Sequence, residues 1–290
     1  MNISQFETKV NKLLTQKGMM GKKNIGLKDF CDYFTAFAWL AHTKGGDGDA
    51  MLDILMDESK LVGGDVFNQN FCLKFDELYP KALEQNKAWK ILMPSIVGFK
   101  GKGKGVGEMY LALVVQGWTI DRVDGKGDGK VAGGIRELKK NGASLKPIAK
   151  AIRIQDELNR TLFEGHRAGP VTKFSEHRDW ILTKQNGEDI YKEYFGKLYP
   201  GRNVDKLAKD LYNTSTGVEF NNILGRQVLE WYKDVDNWDS LIIVDQDKET
   251  IANIADVNNL SHLPNLKFEW KSERGGDTQA LTDGYVNIKI

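Results

Sequence analysis

The placement of strand-like runs constrains this chain most. Short, β-branched, partly alternating stretches gather near its end: SLIIVD, TIANIAD, LKFEWKS and GYVNIKI. One more stretch with strand character, GKGDGKVAGGIRELKKNG, stands far upstream at 125–142. Residues 145–233 between them carry helical periodicity, as in LKPIAKAIRIQDELNRTLFEG and EFNNILGRQVLEWYKDV. A sheet using both sets of strands must therefore close across a long helical crossover. That predicts an α/β or α+β fold: a mixed β-sheet core flanked by helices, with a helical insertion.

The first 95 residues read as a helical N-terminal region. Phe6, Val10, Leu13 and Leu14 recur at helical spacing, with Ser4 as the expected N-cap and Gly18 as the stop. A further helical segment is expected to end at Pro94. Residues 96–290 are expected to form the core, with a hairpin at 120–145, the helical insertion at 146–235 and C-terminal strands at 239–290. The length of 290 residues is near the upper limit for one hydrophobic core. No apolar run approaches the ~18 residues of a membrane span, and the N-terminus lacks a signal-peptide layout, so a cytoplasmic protein with no membrane partner is expected. The two cysteines, Cys31 and Cys72, sit in apolar surroundings and read as buried free thiols.

Several motif classes are excluded. GFKGKGKGVGE fits neither a P-loop nor a dinucleotide-binding register. DGKGDGKVAGGI has Lys126 and Ile135 where a calcium loop needs oxygen ligands. The four histidines form no metalloprotease motif, and no nucleophile elbow is present. Charge, by contrast, is informative. The chain carries a net +1, yet residues 100–160 hold 13 Lys/Arg against 7 Asp/Glu. A basic zone on a nearly neutral protein suits an anionic partner on one face.

Within that zone, a two-residue turn at Gly133–Gly134 would pair Ala132 with Ile135, Val131 with Arg136, Lys130 with Glu137 and Asp128 with Lys139. Strand alternation then puts Asp128, Lys130, Glu137 and Lys139 on one face. Two carboxylates that close repel unless a cation lies between them. A pair of carboxylates plus waters suits Mg²⁺, with Mn²⁺ a substitute, and an adjacent lysine suits a phosphoryl group.

The string Asp128, eight residues, Glu137-x-Lys139 resembles the core signature of the PD-(D/E)xK, or restriction-endonuclease-like, nuclease superfamily. Glu108, in the first turn of the helix expected from VGEMYLALVV, is similar to the acidic residue that family often carries before its hairpin. The similarity covers residues 100–145 and is closest to a pattern seen in bacteriophage members. It implies a Mg²⁺-dependent DNA endonuclease with Asp128 and Glu137 as metal ligands, Lys139 as catalytic lysine, and Glu108 as accessory ligand or orienting group. Asp124 is the alternative for the aspartate role. Lys100, Lys102 and Lys104 stand between glycines and would meet the DNA backbone, with Lys140, Lys146, Lys150 and Arg153 extending the track. The resemblance also implies homodimerisation if both strands are cut, and host cytoplasm or virion as location if phage-encoded. A non-catalytic DNA-binding or DNA-end-binding protein on the same fold, seated among virion or packaging proteins, is the alternative. A charged hairpin without chemistry is the third reading.

Overall fold

The computed structural model describes residues 2–20, 25–100, 105–120, 127–145, 181–270 and 286–290. The chain forms two compact units. The first combines Met1–Asn141 with Trp238–Leu263, and the second combines Gly142–Asn237 with Pro264–Ile290. The architecture is α+β, with one mixed five-stranded sheet and one small sheet. The boundary expected at residue 95 falls inside the first unit.

In the first unit, α1 (Ile3–Gln16) buries the predicted stripe of Phe6, Val10, Leu13 and Leu14. Its cap is Asn2 rather than Ser4. The Asn2 side chain accepts from Gln5 N while Gln5 answers to Asn2 N, closing both orphan donors together. Helices α2 (Ile25–Gly45), α3 (Gly48–Met56) and α4 (Lys87–Val97) follow. Pro94 does not end α4, which runs on to Val97. A proline in the last turn forfeits one backbone bond, and Gly98 N returns to the Pro94 carbonyl at 2.9 Å. Helix α5 (Val106–Val114) is buried along its whole length, as its mostly apolar sequence favours.

The nominally helical region also supplies a strand. β1 (Phe71–Lys74) joins β2 (Gly129–Val131), β3 (Gly134–Lys140), β5 (Ser240–Asp245) and β6 (Thr250–Ile254) in the order β1-β6-β5-β3-β2. Four residues are too few to show a period, so β1 takes its identity from its pairing with β6. Strands β3 and β5 are parallel, and every other neighbouring pair in this sheet is antiparallel. A parallel pair needs a crossover, which is what the helical stretch between them supplies. Val131, Ile242, Val244 and Ile251 share one hydrophobic core with α1–α5, so helices and sheet fold together. Burial pushes the Cys31 thiol up to about 11, leaving it protonated within that core.

The second unit contains β4 (Ser144–Leu145), β7 (Lys267–Trp270) and β8 (Val286–Lys289), ordered β4-β8-β7. With them are α6 (Gly187–Leu198), α7 (Asp205–Tyr212) and α8 (Gly217–Asp236). Of the four late strand-like runs, two therefore complete the large sheet and two build this smaller one. Gly225 of α8 lies hard against β7: a Cβ there would fall 2.0 Å from Phe268 Cγ. Gly196 of α6 is open by comparison, with Val204 Cγ2 at 3.7 Å as its nearest neighbour. Gly225→Ala is accordingly expected to destabilise by about 1–3 kcal/mol through overpacking. Gly196→Ala is expected to be neutral or to stabilise by up to about 1 kcal/mol through helix propensity. Thermal unfolding of the two variants against wild type checks the contrast; equal melting temperatures would refute the close packing of α8 on β7.

Candidate active site

The hairpin turns one residue earlier than the diglycine suggests. Ala132 and Gly133 take the turn, both with positive φ (48° and 78°), and Gly134 is already in β3. The pairs are Val131 with Gly134, Lys130 with Ile135 and Gly129 with Arg136. The reason lies in Gly134. A Cβ there would sit 2.7 Å from Arg136 Nη2 and 3.2 Å from Asp239 Oδ2. Gly133 is needed for its backbone freedom, Gly134 for its missing side chain. The shift is by two in pairing sum, so the faces are kept, but the partner of Asp128 changes. One step beyond the last pair, Asp128 comes opposite Glu137 instead of Lys139.

The regular ladder stops there. Gly127 has φ 62°, a conformation closed to proline, and a Cβ on it would lie 2.5 Å from Ile135 Cγ2 and 2.9 Å from the Arg136 carbonyl. This bend re-aims Asp128. Its N–H donates to the Arg136 carbonyl at 2.8 Å, and its Oδ2 accepts from Leu138 N at 3.1 Å. A side-chain carboxylate thus replaces a strand carbonyl at the Leu138 peptide, between Glu137 and Lys139. Those two residues lie on one face of β3, and the Lys139 ammonium donates to Glu137 Oε1. Their side chains are 9% exposed for Glu137 and 23% for Lys139. Asp128, Glu137 and Lys139 are therefore gathered around one peptide group.

Glu108 stands in the first turn of α5. At Gly107 a Cβ would meet Val244 Cγ2 at 2.5 Å and Leu138 Cδ2 at 3.4 Å, so the first turn of α5 presses on β3 and β5. Glu108 is 6% exposed and its Oε2 accepts from Gly105 N at 3.2 Å, capping its own helix. Among the described residues, no group of three or more His, Cys, Asp or Glu is placed to hold a metal ion. Glu108 is accordingly not a third member of a carboxylate cluster with Asp128 and Glu137.

Of the expected DNA-contacting lysines, Lys100 and Lys140 are exposed. Lys102, Lys104, Lys146, Lys150 and Arg153 lie outside the described residues, as does Asp124. Two residues with no motif to announce them complete the neighbourhood. Gln246, just beyond β5, donates from Nε2 to the Val97 carbonyl (2.9 Å) and the Phe99 carbonyl (3.1 Å), which fixes where the chain leaves α4 before Lys100. Arg136 is 1% exposed and points to the face opposite Glu137. Its Nη1 donates to the Phe67 carbonyl (3.0 Å) and Ser240 Oγ (3.1 Å), its Nη2 to Asn68 Oδ1 (2.9 Å) and the Val131 carbonyl (3.3 Å). Burial pulls its pKa down, and the nearby charge of Asp239 opposes that. The one signal available in the sequence was parity: Arg136 alternates with Val131 on the inward face, and an inward arginine in a hairpin must be anchored.

The chain matches no protein-family model, no curated protein and no solved structure. Among the described residues, no helix is long and apolar enough to cross a membrane.

Proposed function

We propose that the β2–β3 hairpin is the active centre of a Mg²⁺-dependent deoxyribonuclease of the restriction-endonuclease-like type. One observation carries the reading: the Asp128 carboxylate docks on the Leu138 peptide, so an acid nine residues upstream of Glu137 meets the Glu137-x-Lys139 segment of β3. The order of elements agrees with it, since a helix opening on Glu108 precedes the hairpin.

The donor set fits a small hard cation. Asp128 and Glu137 offer carboxylate oxygens, the ligand type Mg²⁺ and Mn²⁺ prefer, and a positive charge already rests on Glu137 in the form of Lys139. When bound, such an ion neutralises charge on a phosphate and lowers the pKa of an attacking water. The chain's own groups do the rest. Asp128 and Glu137 would hold the ion and orient the water. Lys139 directs its ammonium to a non-bridging phosphate oxygen, stabilising the charge that grows there during displacement. Lys100 and Lys140 meet the DNA backbone, while Glu108 fixes the turn of chain that leads into α5.

Incubation of the purified protein with supercoiled, linear, single-stranded and branched DNA tests this. Nicked or shortened products are expected with Mg²⁺ or Mn²⁺ and none with a chelator. Intact DNA in every case, together with salt-sensitive DNA binding, would replace the nuclease by the non-catalytic DNA-binding protein. Neither cleavage nor binding would leave the hairpin as a charged surface feature.

A further inference from the structure

We infer that Lys139 is a built-in counter-ion for the candidate cation site, holding Glu137 until a divalent cation replaces it; this rests on the reading of the hairpin given above. Asp128 and Glu137 flank the Leu138 peptide, and the ammonium on Glu137 offsets part of their negative charge. Glu137 has only 9% of its side chain exposed, so water alone would neutralise its charge poorly. Lys139 sits two residues along the same strand face and needs no movement of the backbone to reach it.

The same placement makes the pair exchangeable. Lys139 is the more exposed partner, on a flexible four-carbon stem, while Glu137 is held by β3 between β2 and β5. Bringing a divalent cation to Glu137 sets two positive charges against each other, so Lys139 must give up its carboxylate. The freed ammonium then becomes available to a phosphate arriving at the same face. Cation and substrate recognition are coupled in this way, because one amine serves Glu137 in the resting protein and the phosphate in the loaded one.

The test measures binding rather than turnover. Mn²⁺ is titrated into wild type, Lys139→Met and Lys139→Arg at one pH and ionic strength, with free Mn²⁺ followed by electron paramagnetic resonance. Removing the competing charge is expected to tighten Mn²⁺ binding about 10-fold in Lys139→Met. Keeping the charge should leave Lys139→Arg within about threefold of wild type. Equal or weaker binding by Lys139→Met than by wild type would overturn the counter-ion role and leave the cation site standing. No Mn²⁺ bound by any of the three, with folded circular dichroism spectra, would overturn the cation site and this inference together.

Discussion

Glu137→Gln is expected to lower metal-dependent DNA cleavage by about 1,000-fold or more, the scale seen when one preorganised charge-stabilising group is removed from an active centre. The substitution keeps the shape and removes the charge. An amide oxygen is a weak ligand for Mg²⁺ beside a carboxylate, so the ion would be held by Asp128 alone and the attacking water would lose its position. Metal-free DNA binding should stay within about threefold of wild type, because Glu137 contributes almost no surface for a backbone contact. The melting temperature should change little, since glutamine can still accept from Lys139 in the wild-type geometry. Single-turnover cleavage assays and salt-dependent binding curves separate the two effects. Undiminished cleavage in this variant would place the chemistry elsewhere in the chain.

Arg136→Met carries the largest expected loss of stability. Methionine has a similar length and no donors, so the apolar stem is largely replaced while the guanidinium hydrogen bonds vanish. The Phe67 carbonyl keeps a second donor in Asn253 Nδ2 at 3.0 Å. The Asn68 and Ser240 oxygens and the Val131 carbonyl each lose a donor from Arg136. Stripping donors from the buried Ser240 and Val131 oxygens and removing a buried, hydrogen-bonded charge should cost about 3–5 kcal/mol. For a unit of this size, that corresponds to a fall in Tm of about 10 °C. Denaturant unfolding measures it directly, and a change under about 1 kcal/mol would show that the buried guanidinium is not what ties the hairpin to Asn68 and Ser240. Arg136→Lys should recover only part of the loss, because an ammonium cannot reach groups on two sides at once.

Much of the site was legible in the sequence because strand parity survives small errors of register. The expected turn was displaced, yet Glu137 and Lys139 still share a face and Arg136 still lies on the other. The position of Asp128 was less accessible. It depends on a break in the ladder that Gly127 makes possible and that the Leu138 N–H completes, neither of which a period can reveal. Helix α5 announced itself by the eight small or apolar positions that surround Glu108 in VGEMYLALV, and its packing against β3 and β5 follows from Gly107. Strand β1 and the separation of β7 and β8 into a second sheet could not be read, because both are decided by which partner a short apolar run finds in space. Gln246 was equally invisible: a lone glutamine after a strand becomes meaningful only when the carbonyls of Val97 and Phe99 lie within its reach.

The nuclease reading requires the acids at 128 and 137 to share one ion. A crystal grown with Mn²⁺ and examined at the manganese absorption edge answers that directly. An anomalous peak is expected within about 2.0–2.3 Å of a carboxylate oxygen from each residue, with Lys139 moved off Glu137. A well-ordered hairpin with no peak between those carboxylates, and with Lys139 still on Glu137 at saturating Mn²⁺, would contradict it.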